Sequence, residues 1–106
     1  MIDCIQVVTT TDTRDNASKI AKHLLDLRLA GCVQVGGPIT SSYWWKGKIE
    51  NTEEWYCVIK TLTERYEDVE QGIRAIHSYK EPEILALPVV FGSKTYIEWL
   101  ADSVKG

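Results

Sequence analysis

Apolar residues recur along this chain with two different spacings, and segments of the two kinds alternate. Unbroken apolar and β-branched runs predict strands at residues 2–10, 32–35 and 83–90. Between them, apolar residues spaced three and four positions apart predict two amphipathic helices, one ending near Ala30 and the other stopping near Tyr79. The pattern therefore predicts a mixed chain in which strands and helices follow one another.

Residues at the ends of the helical segments predict where the two helices begin and how the first one ends. Asp15 or Asn16 is expected to cap the first helix, because a short polar side chain can accept a bond from a first-turn amide. Gly31 is expected to end that helix in the left-handed conformation. The second helix is predicted to begin at Thr61 or Thr63.

The segment over residues 39–61 is predicted to form a long two-stranded hairpin. It turns at residues 46–48, where its only glycine lies, and its arms carry Trp44, Trp45 and Trp55. An arm of about a dozen residues reaches about 40 Å, whereas a globule of this length has a radius of gyration of about 13 Å. The hairpin is therefore expected to project beyond its own core, and its exposed aromatic side chains predict an obligate homo-oligomer.

The predicted order of elements is strand, helix, strand, strand, helix, strand, followed by an extra C-terminal helix over residues 94–105. Two strand-helix-strand units with right-handed crossovers give a four-stranded antiparallel sheet with both helices on one face. We therefore predict a single domain over residues 1–106, of the α+β class: a ferredoxin-like βαββαβ sandwich with a long β-hairpin. Several strands are apolar on both faces, so the uncovered face is also expected to meet another copy of the chain.

Composition narrows the classes of protein to which the chain can belong. With 106 residues, 44% of them hydrophobic, it is large enough to fold without a structural metal, so no cofactor is expected to be essential for folding. A net charge of -3 with scattered lysines and arginines argues against nucleic acid as a partner. No apolar run approaches the roughly 20 residues of a transmembrane helix, so no membrane partner is expected. The three widely spaced cysteines fit a reducing, cytoplasmic setting.

Sequence motifs that would suggest catalysis are missing. Acylphosphatase-like enzymes share the predicted fold, but residues 9–16 hold Arg14 and Asn16 without the glycines that would wrap backbone amides around a phosphate. The chain also lacks a glycine-rich nucleotide-binding motif and a serine or cysteine nucleophile beside a base. We therefore predict that the protein is not an enzyme.

Five collinear segments resemble one protein family. They begin at Ala30, Ser42, Val58, His77 and Tyr96, and their sequences are AGCVQV, SYWWKGKIE, VIKT, HSYKEPEILALPV and YIEWL. Together they span most of the chain and resemble the CutA family of divalent-cation tolerance proteins. The resemblance implies a homotrimer similar in architecture to the PII signalling proteins, with hairpins and terminal segments engaging neighbouring subunits. It also implies a role in the tolerance of copper and other divalent cations.

His77 is the candidate metal ligand to which the resemblance points. The chain holds only two histidines, so one subunit cannot supply a histidine-rich site, but a trimer interface could combine His77 with Cys32 or Glu83. The expected metal is copper or another divalent cation. The alternative is that His77 only closes the end of its helix, where a cationic imidazole suits the helix dipole.

The residues around His77 depart from the family pattern. Ser78 stands where the family usually has a proline, and Lys80 stands at a position that is commonly acidic. Some metal-binding members have a second histidine beside the first and a cysteine at the end of the first strand. The matching positions here are Ile76 and Thr9, neither of which is a useful copper ligand.

The family resemblance also implies a cleft between subunits, which is a usual place for a small ligand. Four residues match the family positions that would line it: Tyr43, Trp45, Lys60 and Tyr79. The alternative is that the aromatic residues form interface core and that Lys60 pairs with Glu53, Glu54 or another acid. Two functions therefore remain: a metal-binding tolerance protein, and a PII-like signalling or interaction module with a small-molecule or protein partner.

Overall fold

The computed structural model describes residues 2–105, and its elements follow the predicted order. Strands, helices and one short 3-10 turn succeed one another along the chain. Their bounds are Cys4–Thr11 (β1), Arg14–Asp26 (α1), Cys32–Trp45 (β2), Lys48–Leu62 (β3), Thr63–Arg65 (3-10 turn), Tyr66–Ile76 (α2), Leu85–Pro88 (β4) and Lys94–Lys105 (α3). No helix within residues 2–105 is long and apolar enough to cross a membrane.

The strands form one antiparallel sheet in the order β2-β3-β1-β4. Val7 in β1 lies opposite Ile59 in β3 and Ala86 in β4, and Ile59 in turn lies opposite Val33 in β2. β4 is shorter than predicted and occupies an edge of the sheet, where Pro88 is tolerated because an edge position can do without a ladder N–H. The ferredoxin-like arrangement predicted from the sequence is confirmed.

Helices α1 and α2 cover one face of the sheet and enclose the main core. Val7 and Ile59 from the two central strands meet Ile20 and Leu24 of α1 and Ile73 of α2, and all five side chains are fully buried. Burying one such side chain stabilises a fold by about 1.5–3 kcal/mol. This cluster is therefore the main source of stability within one chain.

Helix α3 packs on the opposite face of the sheet, at one end only. Side chains alternate along β1, so Ile5 faces α1 and α2 while Cys4 faces away from them. Cys4 packs with Leu62, Leu100 and Val104 in a second, smaller core. No other described helix covers this second face, and both leucines of β4 are exposed.

β2 and β3 extend past the other strands as a two-stranded hairpin, as predicted. β1 pairs with β3 only as far as Trp55, whereas β2 and β3 stay paired until Trp45 meets Lys48. Lys46 and Gly47 at the turn both have positive φ, which two-residue hairpin turns of this kind require. The register of the two strands shifts between Gly36 and Ile39. The hairpin gives the molecule its long axis of 44 Å, against 26 and 22 Å across.

Helix α1 ends earlier than predicted, and the cap predicted at Gly31 is wrong. The helix stops at Asp26 and not near Ala30, and Arg28 takes the left-handed conformation with a φ of 60°. Gly31 serves close packing, because a Cβ at this position would lie 2.6 Å from Cδ1 of Leu100. A glycine is needed there for the approach of α3, and the helix turn needs none.

Hydroxyl side chains lie at the starts of α1 and α3, whereas α2 has no side-chain cap. Thr13, and not Asp15 or Asn16, caps α1: its Oγ1 accepts a hydrogen bond from the backbone N–H of Asn16 at 3.0 Å. Ser93 is well placed to cap α3, because its Oγ lies 3.4 Å from the backbone N–H of Tyr96. The cap of α1 thus lies two residues before the earlier of the two predicted positions.

Candidate functional site

The segment that follows α2 gathers most of the candidate site. A helix beginning at Thr61 or Thr63 and stopping near Tyr79 was predicted, and the 3-10 turn does begin at Thr63. However, α2 ends at Ile76, and His77 already has an extended backbone. Because the chain leaves the helix there, the residues after it turn back toward the end of β1 and the base of the hairpin.

Both ring nitrogens of His77 are engaged by the protein. Nδ1 accepts a hydrogen bond from the backbone N–H of Tyr79 at 3.0 Å, so Nδ1 carries no proton. Nε2 therefore carries the proton and donates it to the carbonyl of Thr10 at 2.8 Å, with Oγ1 of Thr9 3.2 Å away. Burial lowers the pKa of His77 below its usual value. The ring is thus neutral, in contrast to the cation that the helix-end interpretation assumed.

This geometry bears directly on His77 as a metal ligand. A metal ion binds an imidazole nitrogen through a free lone pair. In His77 the lone pair of Nδ1 faces an N–H, and Nε2 has no lone pair while it holds its proton. Metal binding at His77 must therefore break one of two bonds. Glu83, its predicted partner, is exposed in the irregular segment between α2 and β4.

Cys32, the other predicted ligand, lies far from His77 within one chain. It stands opposite Lys60, which stands opposite Gln6, whereas His77 is held at Thr10. Four residues along β1 correspond to about 13 Å. Within residues 2–105, no group of three His, Cys, Asp or Glu side chains is placed to hold a metal ion.

The two other thiols are unsuited to metal binding. Cys4 and Cys57 are both buried, and burial raises the pKa of each, to about 11 for Cys57. The Sγ of Cys57 donates to the carbonyl of Ala17 at 3.5 Å. Because the thiolate is the form that binds metal, both side chains act as small core residues near neutral pH.

Glu54 and Tyr79 form a short, partly buried polar contact in the site. Glu54 is only 7% exposed, and its Oε2 accepts a hydrogen bond from the Tyr79 hydroxyl at 2.7 Å. Burial first, and then the bond to Glu54, raise the pKa of Tyr79 well above its usual value, with smaller contributions from Asp12 and Tyr43. The phenol therefore stays protonated, and it keeps the segment after α2 fastened to the base of the hairpin.

Ser78, a departure from the family pattern, makes contacts that a proline cannot. Its hydroxyl donates to Oδ1 of Asp12 at 2.7 Å, and its backbone N–H donates to Oδ1 of Asn16 at 3.2 Å. Nδ2 of Asn16 donates in turn to the carbonyl of Ile76 at 3.0 Å. The end of α2 is thereby tied to the start of α1. Lys80, the second departure, is exposed.

The four residues of the predicted cleft fall into separate places within one chain. Tyr79 bonds to Glu54 at the base of the hairpin. Tyr43 lies on the hairpin with its hydroxyl 2.7 Å from Oγ1 of Thr52, and Trp45 is exposed beside the turn. Lys60 lies elsewhere, with its Nζ 5.6 Å from the centre of the Tyr96 ring. The ion pair predicted for Lys60 as an alternative is absent, because the ion pairs within residues 2–105 all join other residues one helical turn apart.

Three groups of the site were missed by sequence analysis as site members. Asp12 and the carbonyl of Thr10 lie at the end of β1, and Asn16 lies in the first turn of α1. A backbone carbonyl leaves no signal in a sequence. Glu54 was considered only as a possible ion-pair partner of Lys60, and with Glu53 directly before it the sequence does not show which of the two carboxylates is buried.

Comparison with known proteins gives consistent matches. A sequence model of the family described as CutA1 divalent ion tolerance protein matches residues 5–103. A "Divalent-cation tolerance protein CutA" of Archaeoglobus fulgidus is 37% identical over 93% of this chain and 96% of its own length. "Protein CutA, chloroplastic" of Arabidopsis thaliana is 35% identical over 98% of this chain and 57% of its own length.

Solved structures match equally well. A crystal structure of the divalent ion tolerance protein CutA1 from Ehrlichia chaffeensis has a TM-score of 0.92, with 30% identity, and covers 98% of this chain and 97% of that one. The structure of the "Periplasmic divalent cation tolerance protein CutA" of Archaeoglobus fulgidus has a TM-score of 0.91 with 37% identity, and covers 95% and 98%. The chain therefore belongs to the CutA1 family of divalent ion tolerance proteins.

Proposed function

We propose that this CutA family member acts in divalent-cation tolerance as a homotrimeric, PII-like binding module, whose small ligand lies between subunits. The observation that carries this proposal is the projecting hairpin, whose aromatic tip is not covered by any other part of residues 2–105. Trp44 is 72% exposed and Trp45 is 59% exposed. Exposed aromatic surface on a long ribbon favours aggregation unless a partner covers it, and the commonest partner is a second copy.

Two further surfaces support the assembly. β4 is an edge strand with Leu85 and Leu87 exposed, and β2 forms the other edge. Unpaired edges accept strands from another chain, so the hairpin of one subunit has a matching place at the edge of the next. Three is the preferred number of subunits because the family resemblance implies it.

The arrangement of the predicted cleft also favours a site between subunits. Tyr79 bonds to Glu54 at the base of the hairpin and Tyr43 lies further along the hairpin, while Lys60 lies on the second face of the sheet. Only a neighbouring copy can bring such separated residues together. We propose binding and no catalysis, since the polar residues of the site bond to one another and fasten the segment after α2 in place.

A double substitution at the hairpin tip tests the assembly. Trp44→Ser with Trp45→Ser should shift the mass measured by light scattering toward the 12.0 kDa of one chain, while circular dichroism still reports a folded sheet. The matched control is Leu25→Ser with Leu27→Ser, which removes two exposed leucines near the end of α1 and should leave the mass unchanged. An unaltered mass for the tryptophan variant at low concentration contradicts the proposal.

Direct copper binding is the second candidate function, and Cys32 favours it. Cys32 is only half-buried and lies on the edge strand β2, whereas the other two thiols are buried. Thiolate and imidazole are ligands that suit copper. We propose that Cys32 of one subunit, with His77 and Glu83 of another, forms such a site, and that the protein works in the reducing cytoplasm, where its thiols stay free.

A calorimetric titration of copper into the reduced protein tests this second candidate. Binding at a fixed ratio to the subunits should be lost in His77→Ala and in Cys32→Ser. His23→Ala provides the matched control, because His23 is the only other histidine and lies on α1. Equal weak heats from all four proteins mean adventitious binding and exclude copper as a specific ligand.

A further inference from the structure

A cavity of about 200 Å³ lies between helix α3 and the second face of the sheet. Its floor comes from the start of β1 and the end of β3, and its wall comes from α3 and the segment that precedes it. The residues that matter to its chemistry are Cys4, Gln6, Lys60, Phe91, Tyr96 and Leu100. The cavity is therefore mostly apolar, with two polar side chains from neighbouring strands.

Lys60 brings a positive charge to this cavity without a carboxylate to balance it. Its neighbours along β3, Ile59 and Thr61, are buried on the helix-covered face, so Lys60 points to the face that carries α3. Its Nζ lies 5.6 Å from the centre of the Tyr96 ring. Within residues 2–105 no carboxylate lies within 4.0 Å of this ammonium group. The residues paired with Lys60 in the sheet are Gln6 and Cys32, and neither is a carboxylate.

We propose that this cavity binds a small monocarboxylate that carries a single ring or a short branched apolar group, with its carboxylate at Lys60. An ammonium group beside apolar walls favours an anion whose remainder is apolar, because the ion pair and the buried surface then stabilise the complex together. An apolar cavity of about 150 Å³ in another protein holds benzene. The present cavity thus has room for a ring with one carboxylate.

The charge of the cavity decides against a phosphate. A phosphate group carries close to two negative charges near neutral pH. The cavity offers one positive charge, the ammonium of Lys60, together with the side-chain amide of Gln6, and neither group makes a side-chain hydrogen bond within the described chain. One positive charge and two donor groups match a carboxylate.

This inference names a ligand class for Lys60 and so rests on the proposed binding function for its biological role. The cavity itself, however, is complete within one chain and needs no residue from a neighbour. The two ideas can therefore fail separately. The mass of the tryptophan variant decides the assembly, and ligand binding to the wild-type protein decides the cavity.

Benzoate is the probe, and benzamide is the uncharged control of the same shape. Calorimetric titration of the wild-type protein in its native assembly should give saturable binding of benzoate at millimolar concentration or below, and at least tenfold weaker binding of benzamide. This comparison needs no variant, so misfolding cannot confuse it. Equal binding of the two compounds overturns the proposal. Absence of saturable benzoate binding also overturns it, and indicates that a neighbouring copy fills the cavity.

Substitution of the lysine then locates the binding. Lys60→Gln should weaken benzoate binding at least tenfold and leave benzamide binding unchanged. Lys94→Gln is the matched control. Lys94 is an exposed lysine at the start of α3, the helix that forms a wall of the cavity, and it does not itself line the cavity. If Lys60→Gln binds benzoate as the wild type does, or if Lys94→Gln weakens it equally, the carboxylate does not lie at Lys60 and the proposal fails.

Discussion

On the helix-covered face of the sheet Leu24 and Ile73 are fully buried, whereas at the tip of the hairpin Trp44 and Trp45 expose most of their surface. Both regions are built from apolar residues in regular elements of one chain. They differ in that α1 and α2 close over the first region and nothing in the described chain closes over the second. Stability within a subunit is therefore concentrated in one region and the capacity for association in the other.

The candidate site lies where the two regions meet. Tyr79 follows α2, which belongs to the packed region, and its hydroxyl bonds to Glu54 at the base of the hairpin. His77 fastens the same segment to β1. A change that loosens this segment is therefore expected to affect how the hairpin is held without removing any part of the core.

The largest effect is expected in the packed region. Leu24→Ala removes a fully buried side chain and should lower the free energy of unfolding by about 2–5 kcal/mol. Leu25→Ala, one residue further on and 41% exposed, should change it by less than about 1 kcal/mol. Urea unfolding at equal protein concentration measures both. Similar losses for the two variants would mean that Leu25 is covered in the assembly and that α1 belongs to both regions.

A smaller effect is expected at the hairpin turn. Gly47 has a φ of 78° and open space around it, so Gly47→Ala meets no steric contact but forces alanine into the left-handed region. The expected cost is about 1–2 kcal/mol. Lys46→Gly, at the other residue of positive φ, should not destabilise the turn to the same degree, because glycine relieves that strain.

Light scattering and fluorescence report separately on the two regions in the turn variants. Gly47→Ala should weaken the assembly, which light scattering detects as a lower mass on dilution. The packed region should still unfold in a single transition when unfolding is followed by fluorescence. The opposite result is that the variant alters only the unfolding midpoint and leaves the mass at every dilution as in the wild type. That result would mean that the hairpin stabilises the core of its own subunit, and it would contradict the division into a packed region and an associating region.

The sequence predicted the sheet, its strand order and the hairpin, because these depend on patterns that repeat over many residues. The apolar and β-branched runs of β1 and β3 extend far enough to outweigh local exceptions, and Gly47 has the positive φ that a two-residue hairpin turn requires. The ends of the helices were predicted less well. A glycine at position 31 looks the same in the sequence whether it ends a helix or leaves space for the side chain of Leu100, which comes from a helix distant in sequence.

The site was only partly predictable for the same reason. His77 and Tyr79 could be selected as residue types, but their partners lie about 25 or more positions away in sequence, at Thr10 and Glu54. Which nitrogen of His77 carries the proton depends on a backbone carbonyl, and the sequence does not show which carbonyl lies beside the ring. Lys60 is a similar case, since its neighbours come from α3 and depend on how that helix packs.

The smallest effect is expected from pH, at the boundary between the two regions. Burial lowers the pKa of His77 in the folded protein, so the unfolded chain binds a proton on this ring at a higher pH than the folded chain does. The contribution of His77 to stability is therefore fully present above its unfolded pKa of about 6.5. It decreases as the pH falls below that value and levels off once the folded form is protonated too.

Comparison of variants isolates this contribution from that of the carboxylates. His77→Gln should reduce the drop in melting temperature between about pH 7.5 and pH 5, whereas His23→Gln should leave the drop as it is in the wild type. Protonation of Nδ1 places two N–H groups against each other at the Tyr79 amide, so the segment after α2 should loosen first. Lower protection factors for the amides of residues 77–80 at the lower pH, with unchanged protection in α1, are the signature of a boundary that opens before the core. A uniform fall in protection throughout the chain would show that the boundary and the core unfold as one unit.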